Sequence, residues 1–237
     1  MNEAIEPVRT TTSNFGACNP SRMSSQFGLP RGALGWAVGK LMTIKNAGMH
    51  RLAAESIDAQ PDDRILEIGF GSGSVIHTIA RRRPKADIAG VDPSEVMLGQ
   101  ASRRNREHIE AGRVELKPGS ASRLPFEDGR FTKVFAVNSF RFWSDQEADL
   151  REVYRVMAEG GLLVLCLRME HPRRRFLVAP GFTIPEIEGV KHLLMRAGFS
   201  GVRTETRSAG RMVTCVFAEK ALSAAVGPDR EAAKEED

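Results

Sequence analysis

Cysteine, tyrosine and tryptophan are scarce, at three, one and two among 237 residues. Cys18, Cys166 and Cys215 have no metal-ligand spacing, and an odd count makes no closed disulfide set. No metal site is therefore expected. Cys166 and Cys215 lie in apolar runs and read as buried thiols, which fits a reducing compartment. Long apolar runs are absent as well. The longest, Gly161 to Leu167, is of strand length, far below the roughly 18 residues of a membrane helix. The first residues, Met-Asn-Glu-Ala-Ile-Glu, carry acids where a signal peptide carries bases. Together these absences argue against membrane insertion and for the cytoplasm. Charge of one sign is missing too. A formal net charge of +4 is too small to argue for a nucleic-acid partner.

What is present is an alternation. Residues 1–39 are polar, then glycine-punctuated, and are expected to form a flexible segment outside the domain and to act as a lid. A helical pattern runs from Lys40 to about Ala59. After it come a strand at Arg64–Ile68, a helix at Ser74–Arg82, a strand at Ala86–Val91 and a helix at Ser94–Glu110 with Ser94 as N-cap. Strands follow at Arg113–Leu116 and Phe131–Val137. Ser144-Asp-Gln-Glu147 reads as a capping box opening a helix with Leu150, Val153, Tyr154 and Met157 on one stripe. Gly160-Gly161 stops it, and Leu162–Leu167 is a fifth strand, apolar throughout, as when both faces are covered. Thr183-Ile-Pro-Glu186 is a second capping box, and Gly198 closes its helix. Strands near Val202–Thr206 and Met212–Phe217 are too close for a parallel crossover and should form an antiparallel hairpin. Residues 223–237 are charged and read as a disordered tail. The domain thus spans 40–222. Its expected fold is a doubly wound, Rossmann-like α/β sheet, mostly parallel, with helices on both faces. Ligands on such sheets sit at the carboxyl ends of the strands.

The residues after the first two strands carry the chemistry. Glu67-Ile-Gly69-Phe70-Gly71-Ser-Gly73 places three glycines at alternate positions, where the backbone can turn sharply and approach a ligand. Asp92, at the end of the second strand, can accept ribose hydroxyls. A dinucleotide fingerprint would put its third glycine at Ser74 and Glu67 beside a diphosphate, which Coulomb repulsion disfavours. The same acid suits the cationic ammonium and sulfonium of S-adenosylmethionine.

On these residues the chain resembles the class I S-adenosylmethionine-dependent methyltransferases, and within them the small-molecule, quinone- and sterol-type group. Ile65 to Gly73 matches the first motif of the family and Gly90 to Met97 the second. Leu124-Pro-Phe126 with Phe131-Thr-Lys-Val134, and Glu152 to Gly161, match two later stretches. The resemblance implies a seven-stranded sheet with an antiparallel final strand. It implies that Glu67, Gly69 and Gly71 line the methionine half of the cofactor, that Phe70 and Gly73 belong to the cofactor-binding turn, and that Gly73 shapes it. Asp92 would hold the ribose, and Pro93 and Met97 would flank the adenine. Ser120, with Ala121, stands where the family often has an acid for the adenine amino group. Asn138 would reach the region of the reactive methyl.

Other positions keep two readings. Met97 either faces adenine or is core. Phe140, Phe142 and Trp143 either clamp over the helix behind them or wall a substrate pocket. His171 follows the fifth strand at the ligand-facing edge, so it alone of five histidines has a positional argument for catalysis, against the plainer reading of an exposed loop residue. His77 and His108 read as helix surface. Arg173–Arg175 is either a solvated turn or a recognition site for an anionic substrate. Arg81–Arg83 and Arg103, Arg104 and Arg106 read as helix-surface clusters. The expected function is methyl transfer from S-adenosylmethionine to a small molecule by in-line displacement, and a homodimer is compatible with it. The alternatives are methylation of RNA or protein, or a non-catalytic module binding S-adenosylmethionine or a nucleotide. The Asn-Pro-Pro-aromatic motif of many nucleic-acid methyltransferases is replaced by Asn138-Ser-Phe-Arg141.

Overall fold

A computed structural model of the chain describes residues 46–170 and 181–222. The expected N-terminal lid, Cys18, His171, the Arg173–Arg175 run and the charged tail lie outside these residues. The described elements are α1 (Ala47–Ile57), β1 (Arg64–Ile68), α2 (Ser74–Arg82), β2 (Asp87–Asp92), α3 (Glu95–Arg104), α4 (Arg106–Glu110), β3 (Val114–Pro118), β4 (Phe131–Val137), α5 (Gln146–Val156), β5 (Met157–Arg168), α6 (Ile184–Arg196), β6 (Phe199–Ser208) and β7 (Met212–Lys220). Among them no helix is long and apolar enough to cross a membrane.

The strands form one sheet in the order β3-β2-β1-β4-β5-β7-β6. β1 to β5 pair in parallel. β7 runs antiparallel to both β5 and β6, which is the hairpin the short spacing required. The chain winds outward from β1 to β3, then returns to β4 on the other side of β1. That reversal makes β1/β4 the switch point, where loops diverge and leave a crevice.

Apolar side chains alternate to both faces of the central strands, which is why the strands read as continuous apolar runs. Leu66, Ile68, Val134, Leu163 and Leu165 join Leu150, Val153, Ile187 and Val190 of α5 and α6 in one core. Ile65, Phe135, Val164 and Cys166 join Met49, Leu52 and Ile57 of α1 and Val75, Ile76 and Ile79 of α2 in the other. Cys166 and Cys215 face each other across β5 and β7 and are buried free thiols. Thr183 and Glu186 complete the expected capping box at α6.

Several expectations need correction. The helix expected over Ser94–Glu110 breaks at Asn105 into α3 and α4. The buried Asn105 side chain donates to the carbonyls of Gly73 (3.1 Å) and Ala101 (3.0 Å), the local competition that ends helices at such residues. Ser94 does cap α3, accepting from the Met97 amide at 3.4 Å. Asp145, rather than Ser144, caps α5. Met157 is extended and opens β5 instead of closing α5. Its pairing with β4 shifts register between Phe131 and Lys133, and Gly160 takes a positive φ of 69° there. The His77 and His108 rings meet at 5.3 Å with a 45° tilt, and His108 is buried against Arg113.

Phe140 belongs to the core. It is fully buried within the α5–α6 cluster and meets Trp143 edge-on at 4.9 Å. Phe140→Ala should therefore cost about 3–5 kcal/mol in urea unfolding, as for other buried phenylalanines. A stable variant with only an altered substrate KM would return Phe140 to the pocket wall.

Candidate cofactor and active site

The loop after β1 is shaped by three left-handed glycines. Gly69 (φ 77°) has no room for a side chain: a Cβ would stand 2.5 Å from that of Ser139, whose hydroxyl donates to the Ile68 carbonyl at 2.6 Å. Gly71 (φ 51°) differs in that a Cβ there would meet nothing within 4 Å and would project into open space. Its amide donates to Asp92 Oδ2 at 2.8 Å. Gly73 (φ 68°) faces α3 rather than the cavity. A Cβ there would be 2.7 Å from Ala101 and Asn105. Gly73 thus sets the turn, and its place among ligand-contacting residues is corrected. Arg104 clamps this loop from α3, with Nη1 donating to the Ser72 carbonyl (2.7 Å) and hydroxyl (2.8 Å). It does not belong to a plain surface cluster.

Two carboxylates flank the glycine turn. Asp92 is buried and held by two backbone amides, Gly71 on Oδ2 and Ser94 on Oδ1 at 2.9 Å. Burial raises its pKa despite these bonds. Glu67 is 2% exposed, and its Oε2 has no hydrogen-bond partner. Burial and the nearby Asp92 charge push its carboxyl well above the ordinary range, against one backbone hydrogen bond from Ile76. A buried acceptor left unpaired and a like-charged neighbour are both unfavourable, and a cationic donor relieves both.

Around this pair lies a cavity of about 460 Å³, a volume suited to one drug-sized ligand. Glu67, Gly69, Phe70, Gly71, Asp92, Pro93, Met97, Ser120, Ala121 and Asn138 all line it, as does Trp143. The expectation for His171 lies outside the described residues. Asn138 has a positive φ of 55° at the end of β4, and its amide is fixed to the Cys166 carbonyl at 2.8 Å. A non-glycine residue in that region is uncommon and concentrates at functional loops.

The cavity also takes in residues that no motif announced. From α1 come Asn46, Met49 and His50, and from the end of β5 comes Arg168. α1 reaches the strand ends because Gly48 seats against the carbonyl of Ala209 in the β6–β7 turn, where a Cβ would come within 2.5 Å. His50 Nδ1 shares a 2.8 Å hydrogen bond with Ser74 Oγ. Burial, with the charge of Arg104, lowers its pKa to about 4, so its ring is neutral at pH 7. Arg168 is 9% exposed. Its pKa is lowered by burial, then by the charges of Arg211 and Arg141. Asp149 of α5 is the third buried acid in the wall. Among the described residues no group of three or more His, Cys, Asp or Glu is placed to hold a metal ion.

Comparison with known proteins agrees with this geometry. Residues 65–161 match the family model described as a methyltransferase domain. A Bacillus subtilis (strain 168) protein named as a methyltransferase, YrhH, is 37% identical over 113 residues, which cover 48% of this chain and 62% of the relative. The demethylmenaquinone methyltransferase of Thermus thermophilus is 38% identical over 104 residues, 43% of this chain and 46% of that one. The chain thus spans less than two thirds of either relative. Among solved structures, a SAM-dependent methyltransferase from Aquifex aeolicus superposes with a TM-score of 0.63 at 18% identity, covering 77% of this chain and 97% of that one. The [4+2]-cyclase SpnF gives 0.62 at 21% identity, covering 81% and 85%.

Fold, glycine turn and matched segment agree in their likeness to a Rossmann-like methyltransferase domain. Residues 65–161 are similar to a methyltransferase domain, and the whole fold is similar to that of a solved SAM-dependent methyltransferase.

The raised carboxyls make a linkage prediction. A cationic ligand favours ionised Glu67 and Asp92, so both pKa values fall on binding. Protons are then released at pH values between the bound and free pKa, and affinity rises with pH through that window. Calorimetry with S-adenosylhomocysteine, repeated in buffers of different ionisation heat, should read this release. Proton uptake would contradict the assignment of the two acids. Gly69→Ala, strained and clashing, should lose binding outright.

Proposed function

We propose that the protein transfers a methyl group from S-adenosylmethionine to a small-molecule acceptor by in-line displacement. The observation that carries this reading is the pair of buried carboxylates, Glu67 without a partner on Oε2, beside a glycine turn with open space at Gly71. Bound there, the cofactor supplies an electrophilic methyl on a positively charged sulfur. Glu67 takes the ammonium end and Asp92 the ribose hydroxyls, with Pro93, Met97 and Ala121 beside the adenine. Asn138 lines the same cavity, and Met49, His50, Trp143 and Arg168 of that lining are left for an acceptor.

On this reading those residues form the acceptor compartment. Its apolar members, Met49, Val137, Phe142 and Trp143, suit a planar or aliphatic body, and Arg168 suits a polar or anionic head. A quinol-like acceptor is supported by the relatives named as demethylmenaquinone methyltransferases. Alignment of nucleophile and methyl carbon supplies most of the acceleration, about 7–11 kcal/mol. Where the acceptor carries a proton, His50 is the base at hand. In the tautomer whose Nδ1–H donates to Ser74 Oγ, Nε2 is free to accept. A cytoplasmic setting is supported by the two reduced, buried thiols.

Incubation with methyl-tritiated S-adenosylmethionine and a panel of small quinols, RNA and protein tests the proposal. Label should enter a small acceptor, and Glu67→Gln combined with Asp92→Ala should abolish it. Label in RNA or protein alone would overturn the acceptor class, and a cyclised, unlabelled product would favour the chemistry named for SpnF. His50→Ala should lower kcat by about 10²–10⁴-fold for an acceptor that must lose a proton, with the affinity for S-adenosylhomocysteine kept.

A further inference from the structure

Cys166 and Cys215 have no role in the scheme above. They come from distant parts of the chain, yet the register of β5 on β7 sets them directly opposite each other. Opposed residues of an antiparallel pair have Cα atoms about 4.5–5.5 Å apart. A disulfide spans about 4.4–6.8 Å between Cα atoms. The two Sγ atoms are already 3.0 Å apart, and both thiols are free. A bond between them therefore needs side-chain rotation and no shift of either strand. The two sulfurs are not equivalent. Cys215 is approached by Cys166 across the strands and by Ser56 Oγ of α1 at 3.6 Å. The hydrogen bond from Cys166 holds the Cys215 thiol below its ordinary pKa, and Ser56 adds to this against burial. The same contact, with burial, pushes the Cys166 thiol well up. Ser56 is half-buried, as is Glu205, which faces Cys215 from the edge strand β6. A small reagent thus meets Cys215 first, with Cys166 one strand further in.

We propose that Cys166 and Cys215 form a site of reversible oxidation, which closes a cross-strand disulfide when the protein meets a hydroperoxide. The attacking form of a thiol is its thiolate, and Cys215 is placed to supply it. Its sulfur bonds to the terminal peroxide oxygen, the O–O bond breaks, and the other oxygen leaves as water or an alcohol with the proton that Cys215 gave up. Cys215 is then a sulfenic acid. The Cys166 sulfur attacks the Cys215 sulfur, the S–O bond breaks, and the hydroxyl leaves as water with the proton of Cys166. The two thiols lose two electrons and two protons, and the hydroperoxide is reduced. Contact between the sulfurs lets this second step outrun further oxidation to a sulfinic acid. The step depends on no assignment of cofactor or acceptor.

The test treats the folded full chain with hydrogen peroxide, using Cys18→Ser to remove the third thiol. Thiols are then counted after denaturation, and the peptides are mapped by mass spectrometry. Both thiols should be lost together, with a Cys166–Cys215 cross-linked peptide lighter by two hydrogens, and dithiothreitol should restore both. Adding Cys166→Ser should instead leave Cys215 as a sulfenic acid that dimedone captures. The count and the map on the Cys18→Ser protein stand alone if that second variant fails to fold. Survival of both thiols in the folded protein, under peroxide that oxidises the unfolded chain, would overturn the proposal and leave the pair as core packing. A sulfinic acid on either cysteine in place of the cross-link would overturn it as well.

Discussion

The site is organised by two carboxylates that the fold holds out of water. Glu67 points into the cavity from β1, and Asp92 is pinned by the amides of Gly71 and Ser94 at the end of β2. Neither is neutralised by a protein cation strongly enough to restore an ordinary pKa. An arrangement of this kind is stabilised only by protonation or by a cation placed between the acids. A sulfonium with an ammonium on one arm and a diol on the other satisfies it, whereas a diphosphate does not. The glycine turn matters because it lets such a ligand approach the backbone where any Cβ would stand in its way.

The sheet makes this charge arrangement tolerable. β1 and β2 are central strands with helices on both faces, so their ends are braced by two cores rather than by one. Arg104 and Asn105 fasten the glycine loop to α3. Ser139 and Asn138 fasten the end of β4 to β1 and β5. Polar groups that would otherwise relax toward water are thereby held in place around the cavity, the preorganisation that positioning chemistry requires. The likeness to SpnF in fold, at low identity, shows that the same frame also appears in a protein named for another reaction. Function has to be argued from the site.

Much of the frame was legible in the sequence because it is written locally. β1 and β4, the Ser94 cap and the Thr183–Glu186 capping box each depend on neighbours in the chain, and each stands where the pattern put it. The errors were local contests too. Asn105 broke a helix whose periodicity ran on, because its amide found two carbonyls. Asp145 won the cap from Ser144. Phe140 followed β4 among aromatic residues, but the 3-10 turn over Phe140–Phe142 directs it inward while Trp143 reaches the cavity.

By itself the sequence determined the strand–helix alternation, the glycine turn with Glu67, and Asp92 after the second strand, since all three follow from spacing along one segment. Only the tertiary structure decided that His50, Arg168 and Asp149 share a cavity with them. These residues sit on α1, β5 and α5, ordinary elements without a motif, and they meet because the strand order reverses at β1/β4 and because Gly48 lets α1 lie against the β6–β7 turn. Which way a side chain on such an element faces depends on what packs behind it, and that is not written in its own neighbourhood.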